Sequence, residues 1–197
     1  MHQGKPARCA AGGRWVIGGT VSYFAAAVVR RQSGWAATEV DLNGAADIDE
    51  VADLLRDVDQ DAEVSLLFVE SDDAYLAIVR LDEGEDLRVF GSDSAFAEES
   101  RLGALLVGDI KAPALDIDDV VEPVERAAGS SDDDEDEPAV DPDADPVGDA
   151  DLLADLGISA HRLLALCTHE GMLPADVTAE VCQIIGCGNE VEELREA

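Results

Sequence analysis

The sequence predicts an α+β protein: a largely antiparallel five-stranded sheet with two helices, then an acidic linker and a small C-terminal all-helical unit. Two observations predict this class. Before residue 110, short apolar runs separated by turn residues alternate with two stretches of helical periodicity. After residue 149, every apolar pattern has the helical period. Because short turns join most of the strands, an antiparallel sheet with both helices on one face is the expected packing.

The first two strands are predicted within residues 22–42. Residues 22–30 form an apolar run, residues 32–34 (Gln-Ser-Gly) are turn formers, and residues 35–42 alternate in polarity, which is typical of a β-hairpin. The alternative is an export signal, since basic residues precede an apolar stretch. That stretch is interrupted by Gly-Gly-Thr at 18–20 and is too short for the ~20 residues of a spanning helix. The hairpin is therefore favoured.

The rest of the first unit follows in the order helix, three strands, helix. Residues 47–58 have apolar positions at helical spacing, and Asp47 is placed to cap them, with Glu50 completing a capping box. Ser92 or Asp93 is placed to cap the second helix. The overall order is β-β-α-β-β-β-α. The three intervening strands are predicted at Val64–Glu70, Tyr75–Leu81 and Leu87–Phe90.

The C-terminal unit is predicted to contain four short helices. The first ends at Gly157, Ser159 caps the second, Pro174 begins the third, and Asn189 with Glu192 caps the last. Fewer than 50 residues rarely fold independently. The unit is therefore expected to dock on the sheet domain or on a partner.

Four segments with different properties follow from these patterns. Residues 130–151 contain eleven acids, three prolines and no base, which is the composition of a disordered linker. The predicted organisation is a disordered upstream extension (1–20), an α+β domain (21–110), the acidic disordered linker (111–148) and the helical unit (149–197).

Charge excludes one class of partner and favours another. Thirteen basic residues against 45 acidic ones give a net charge of −32. Direct binding of nucleic acid is not expected, because that affinity comes from Lys and Arg contacting phosphates, and here the arginines are scattered. Such a chain is expected to attract a basic protein surface, or simply to stay soluble through self-repulsion. The scattered arginines of the strands and helices are Arg56, Arg80, Arg88 and Arg101.

Two kinds of metal site are considered and neither fits the sequence well. Asp141, Asp143 and Asp145 fit the first three ligand positions of a calcium loop, but Pro146 stands where Gly is needed and Leu152 where Glu is needed. In the helical unit, the candidate zinc ligands are too far apart for the usual tight pairs, and buried thiols are the favoured interpretation. Those candidates are His161, Cys167, His169, Cys182 and Cys187.

No catalytic, cofactor-binding or metal-binding residue is predicted, and no cofactor. The chain contains no phosphate-binding glycine loop, no Gly-x-Ser-x-Gly turn and no His-x-Glu with Pro-Cys-x-x-Cys of the zinc-dependent base deaminases. Four cysteines without a Cys-x-x-Cys pair indicate reduced thiols in the cytoplasm and not a disulfide framework.

Several segments, in this order, resemble the actinobacterial family of tRNA adenosine deaminase-associated proteins over residues 21–197. The resemblance implies a partner or pathway, because the deaminase makes inosine at the wobble position of tRNA, and it implies no catalytic residues. The segments that carry it are SYFAAAVVR (22–30), LLFVE (66–70), YLAIVR (75–80), ESRLGALL (99–106), DADLLADLG (149–157) and EGMLPADV (170–177).

The resemblance also predicts where translation starts. Family members begin with Met-Ser-Tyr-Phe, where this chain has Val21-Ser22-Tyr23-Phe24. We therefore expect initiation at Val21, and mapping of N-terminal peptides from the native protein tests this.

The favoured hypothesis is a non-catalytic, cytoplasmic accessory protein that binds the tRNA adenosine deaminase. A second hypothesis is an enzyme of unrecognised type, with carboxylates or Cys167 in a cleft between the two units. Two further hypotheses assign a role to the acidic run itself, as a mimic of nucleic acid that inhibits the enzyme or as a buffer for divalent cations. A solubilising spacer is favoured over mimicry because of the composition of the run.

Overall fold

The computed structural model describes residues 23–71, 74–107, 145–169 and 171–196. Six strands form one antiparallel sheet, in the spatial order β2-β1-β3-β4-β5-β6. The predicted α+β class and antiparallel sheet are confirmed. The strands are β1 (Tyr23–Arg31), β2 (Gly34–Glu39), β3 (Val64–Ser71), β4 (Tyr75–Asp82), β5 (Asp86–Gly91) and β6 (Val147–Gly148).

The predicted count of five strands is corrected to six. The added strand, β6, has only two residues and pairs with the end of β5, with Val147 opposite Gly91. It lies at the end of the segment predicted as linker. A strand of two residues is too short to show an alternating pattern in the sequence. It can be recognised only from its pairing with β5. The predictions for residues 1–20 and for the acidic run up to residue 144 lie outside the described residues.

The first helix, α1 (Ile48–Val58), has the predicted cap and a shifted capping box. The Asp47 carboxylate accepts a hydrogen bond from the Glu50 N–H at 3.0 Å. The Glu50 side chain accepts from the N–H of Ala46 at 2.8 Å, one residue before the predicted donor. The cap therefore satisfies two backbone donors, as predicted, but through a different neighbour.

The second predicted helix is two helices, α2 (Ser94–Glu99) and α3 (Arg101–Val107). Asp93 is the cap of α2, accepting from the N–H groups of Ala95 and Phe96, whereas Ser92 accepts from Leu76 in the sheet. The helix breaks at Ser100, whose backbone is extended. At the break α3 approaches α2 so closely that a Cβ on Gly103 would lie 2.4 Å from the Cα of Ala97. Glycine permits this approach.

Helices α1, α2 and α3 pack on one face of the sheet, as predicted for the helices of this unit. Their apolar residues, such as Leu55 and Leu106, meet side chains of the strands, such as Leu67 and Val79. Strand β3 is buried along its whole length. A strand covered on both faces has no polar side, which explains why its sequence is a continuous apolar run.

The C-terminal unit covers the opposite face of the sheet. The unit therefore docks on the sheet domain of its own chain, which is one of the two predicted possibilities. Leu152, Leu153 and Leu163 of the unit belong to the same buried cluster as Phe68 and Ile78 of the sheet. The unit consists of a 3-10 turn (Ala154–Leu156) and the helices α4 (Ala160–Cys167), α5 (Pro174–Ile185) and α6 (Gly188–Glu196).

The ends of these helices mostly follow the predicted signals. Gly157 has the left-handed φ of 95°, the Ser159 side chain accepts from the N–H of Arg162, and Pro174 begins α5. The prediction for α6 is wrong: the helix begins at Gly188, so Asn189 lies inside its first turn and is not its cap. None of the helices in the described ranges is long and apolar enough to span a membrane.

Trp35 connects the edge strand β2 to the C-terminal unit. Its indole N–H donates to the carbonyl oxygen of Ile185 at 3.0 Å, in a half-buried position. We expect Trp35→Phe to lower the free energy of unfolding by about 1 kcal/mol, because a hydrogen bond is lost and a carbonyl loses its donor. Urea unfolding followed by circular dichroism measures this.

The control for Trp35→Phe is Thr168→Val. This change also removes a donor to a helix carbonyl, that of Leu164, but at an exposed position at the end of α4. It should change stability by less than about 0.5 kcal/mol. Equal effects of the two changes would mean that the indole does not stabilise docking of the unit.

Candidate interaction surface

A buried arginine connects the sheet to the C-terminal unit. The Arg80 side chain on β4 is only 5% exposed, and it lies against two carboxylates and one carbonyl. Its Nε donates to both Asp82 oxygens, at 2.9 and 2.8 Å, and its guanidinium forms a second ion pair with Asp155. It also donates to the carbonyl oxygen of Leu152 at 2.6 Å. Arg88 reaches Asp82 from β5 at 2.8 Å.

This network keeps its carboxylates ionised. Burial acts to raise the pKa of Asp82, but the hydrogen bonds from Arg80 and Arg88 outweigh burial and lower it. The hydrogen bond from Arg80 likewise lowers the pKa of Asp155. In the sequence Arg80 is one scattered arginine among several. An arginine inside a run that is buried on both faces must find carboxylates, and this was the signal that could have identified it.

A second ion pair joins the last helix to the sheet. Arg195 of α6 pairs with Glu70, whose side chain is 9% exposed, and its guanidinium lies 4.6 Å from the ring centre of Phe24. Cation–π contact and ion pairing therefore act on the same guanidinium. Together with Arg80 and Trp35, this contact fixes the C-terminal unit on the sheet.

The thiols of the C-terminal unit, Cys167, Cys182 and Cys187, are buried. Burial raises the pKa of Cys167 to about 12. The hydrogen bond with Cys187 and burial raise the pKa of Cys182 above its usual range. The thiolate is the nucleophilic form, so neither group is activated at neutral pH. Cys167 lies in the packed core between the sheet and the unit.

Metal ligands do not converge in the residues that the structure describes. No group of three or more His, Cys, Asp or Glu side chains within these ranges is placed to hold a metal ion. Of the candidate zinc ligands, Cys167, Cys182 and Cys187 take part in the apolar core. Of the calcium-loop candidates, Asp141 and Asp143 lie outside the described residues.

An acidic cleft of about 550 Å³ opens between the end of α1 and the β4–β5 turn. Arg56 is held by Asp53 and by the carbonyl oxygen of Gly84. The hydrogen bond from Arg31 lowers the pKa of Asp59, which keeps this carboxylate charged. The other acidic side chains of the cleft are Asp57 and Glu83.

The carboxylates with perturbed pKa values do not have the raised pKa of a general acid. A general acid at neutral pH needs a raised pKa. Within the described ranges, the carboxyl groups with shifted pKa values are all lowered: Asp41, Asp59, Asp82 and Asp155.

The fold and the acidic cleft define the class of protein: an acidic α+β protein in which helices cover both faces of an antiparallel sheet. The model of one protein family, described as Rv3753c-like tRNA adenosine deaminase-associated protein, matches residues 23–188. The chain belongs to this family, which confirms the resemblance inferred from the sequence. Comparison with curated proteins and with solved structures gave no match.

Proposed function

We propose that the protein is a non-catalytic, cytoplasmic accessory protein that binds the tRNA adenosine deaminase. The observation that carries the proposal is the family match, whose description is of an associated protein and not of a deaminase. Buried thiols and lowered carboxyl pKa values support a binding role over a catalytic one.

Charge supports the choice of partner. An enzyme that acts on tRNA must approach a phosphate backbone, and such surfaces are rich in Lys and Arg. A chain with a net charge of −32 complements such a surface and repels RNA. The acidic cleft carries part of this charge on the folded domain, through Asp57 and Glu83.

The experiment is a binding assay with both full-length proteins untagged. We expect the chain to co-purify with the deaminase at about 50 mM salt and to be released at about 500 mM, because salt screens charge complementarity. Ovalbumin, an acidic protein of unrelated fold, is the control for binding by charge alone. Failure to bind at low salt contradicts the proposal. Turnover of tRNA by the chain alone, abolished by a single substitution, contradicts its non-catalytic part.

A further inference from the structure

The sheet has one long edge without a neighbouring strand among the described residues. At the other edge stands β6, which has two residues, whereas β2 runs for six residues. Six residues in extended conformation cover about 20 Å. This edge is therefore long enough to hold a short extended segment.

The register of β2 shows which of its backbone groups point to the open side. The N–H of Val40 donates to the carbonyl oxygen of Ala25 at 3.0 Å, so these two residues form a hydrogen-bonded pair. In an antiparallel ladder such pairs alternate with pairs that make no hydrogen bond. Counting back from Val40, Thr38, Ala36 and Gly34 therefore turn their N–H and C=O groups toward β1. The residues that turn theirs to the open side are Trp35, Ala37 and Glu39.

Among the described residues, the usual protections of an edge strand are missing from β2. Natural edges are blocked by Lys, Pro, bulges or a covering element. The strand reads GWAATE, with small residues at its centre and one charge, Glu39, at its end. Its pairing with β1 is regular from Gly34 to Glu39, with no bulge. The edge is therefore competent to pair with another strand.

The edge is flanked by acidic side chains of α6 and by Arg30, whose guanidinium lies 5.8 Å from the ring centre of Trp35. Helix α5 packs over β3 and α6 packs over β1 and β2, so the side of α6 that faces away from α5 borders the open edge. Glu192 and Arg195 line the groove against α5. Glu190 and Glu193 of α6 are three residues apart, and helical spacing from the groove residues Glu192 and Arg195 assigns them to the side of the helix away from α5.

We propose that β2 accepts an extended basic segment of the deaminase as a seventh strand of the sheet. This inference rests on the proposed function for its partner. Backbone hydrogen bonds to Trp35, Ala37 and Glu39 hold the segment, and alternate side chains of the segment point toward α6. Lys or Arg at those alternate positions complements Glu190 and Glu193. A second copy of this chain is disfavoured there, because two α6 helices would meet with like charges.

The first test measures amide hydrogen exchange by NMR in the chain alone and in its complex with the purified deaminase. In the chain alone, the amides of Trp35, Ala37 and Glu39 should exchange fast, while those of Ala36 and Thr38 are already protected. In the saturated complex the three outward amides should exchange at least about tenfold more slowly. Unchanged exchange overturns the proposal. Protection that grows with the concentration of the chain alone indicates a second copy, which also overturns it.

The second test uses variants that should leave the fold intact. In Ala37→Pro the lost N–H is one that the sheet does not use, and proline is tolerated on edge strands in this orientation. Glu190→Lys with Glu193→Lys reverses the charge beside the edge. Each variant should weaken binding of the deaminase about tenfold or more.

The matched control is Glu98→Lys with Glu99→Lys. These exposed residues lie on α2, on the opposite face of the sheet, and the net charge changes by the same amount. Binding should remain within about twofold of the unmodified chain. If the chain binds and the edge variants bind equally well, the edge proposal fails and the proposed function stands. If the unmodified chain does not bind at low salt, both fail.

Discussion

Replacing Arg80 with methionine is expected to lower the free energy of unfolding by about 3 kcal/mol. The methionine fills much of the same space, so the loss is mainly that of charge and hydrogen bonds. Removing one partner of a buried ion pair is costly because the other is left without compensation. Here the cost falls at the low end of the usual range, since the Asp155 side chain is 58% exposed and can regain water. Urea unfolding of both chains measures the difference.

The control is Arg162→Ala. Arg162 pairs with Glu180 at 3.5 Å, and both side chains are about half exposed. Surface pairs of this kind contribute less than about 1 kcal/mol. If the two arginine variants lose the same stability, the Arg80 network does not hold the C-terminal unit on the sheet.

The effect of Arg80 should also depend on pH. The folded-state pKa values of Asp82 and Asp155 are lowered, so the stabilisation is complete above the unfolded value of about 4. It is lost as pH falls through the folded values. The difference in stability between the unmodified chain and Arg80→Met should therefore be constant from about pH 5 to 8 and shrink below about pH 4. A difference that grows on acidification contradicts this account.

Replacing Gly148 with alanine is expected to cost about 2 to 3 kcal/mol and to detach β6. Gly148 has a φ of 91°, which disfavours any residue with a Cβ, and an added Cβ would lie 2.1 Å from the carbonyl oxygen of Val89. That oxygen accepts the N–H of Asp149 at 2.8 Å. The clash is with backbone, so it is relieved only by moving one strand away from the other. Urea unfolding and exchange of the Asp149 amide, which should become faster, measure both effects.

The control for Gly148→Ala is Gly171→Ala, which introduces backbone strain without bringing the new Cβ close to another atom. Gly171 has a similar φ of 81°, but an added Cβ would meet nothing within 4 Å. Its cost should be that of backbone strain alone, about 1 kcal/mol. If Gly148→Ala lowers the free energy of unfolding no more than Gly171→Ala does, and the Asp149 amide stays protected, the tight approach of β6 to β5 is refuted.

Local patterns predicted the elements that have strong local signals. The alternation and turn residues predicted the hairpin of β1 and β2, and Asp47, Ser159 and Pro174 marked helix starts that the structure contains. The continuous apolar runs became strands because helices cover both faces of the sheet.

Features that depend on contacts between distant residues could not be predicted in this way. Strand β6 is two residues long and exists through its pairing with β5. The break at Ser100 is an exception with a local signal, because the Ser100 hydroxyl caps α3 by accepting from the N–H of Gly103 at 2.7 Å. Arg80 meets Asp155, 75 residues away, and no pattern along the chain joins them. The outward direction of alternate β2 amides follows from the register with β1, which no local pattern in the sequence encodes.

The contacts of Gly91 place two distant points of the chain together. A Cβ built on this residue would lie 3.2 Å from a methyl group of Val147 and 3.3 Å from one of Val107. Val107, at the end of α3, and Val147, in β6, therefore meet at one corner of the sheet although they are 40 positions apart in the sequence. A larger residue at position 91 would push on both side chains at once, so a single substitution is expected to loosen α3 and β6 together.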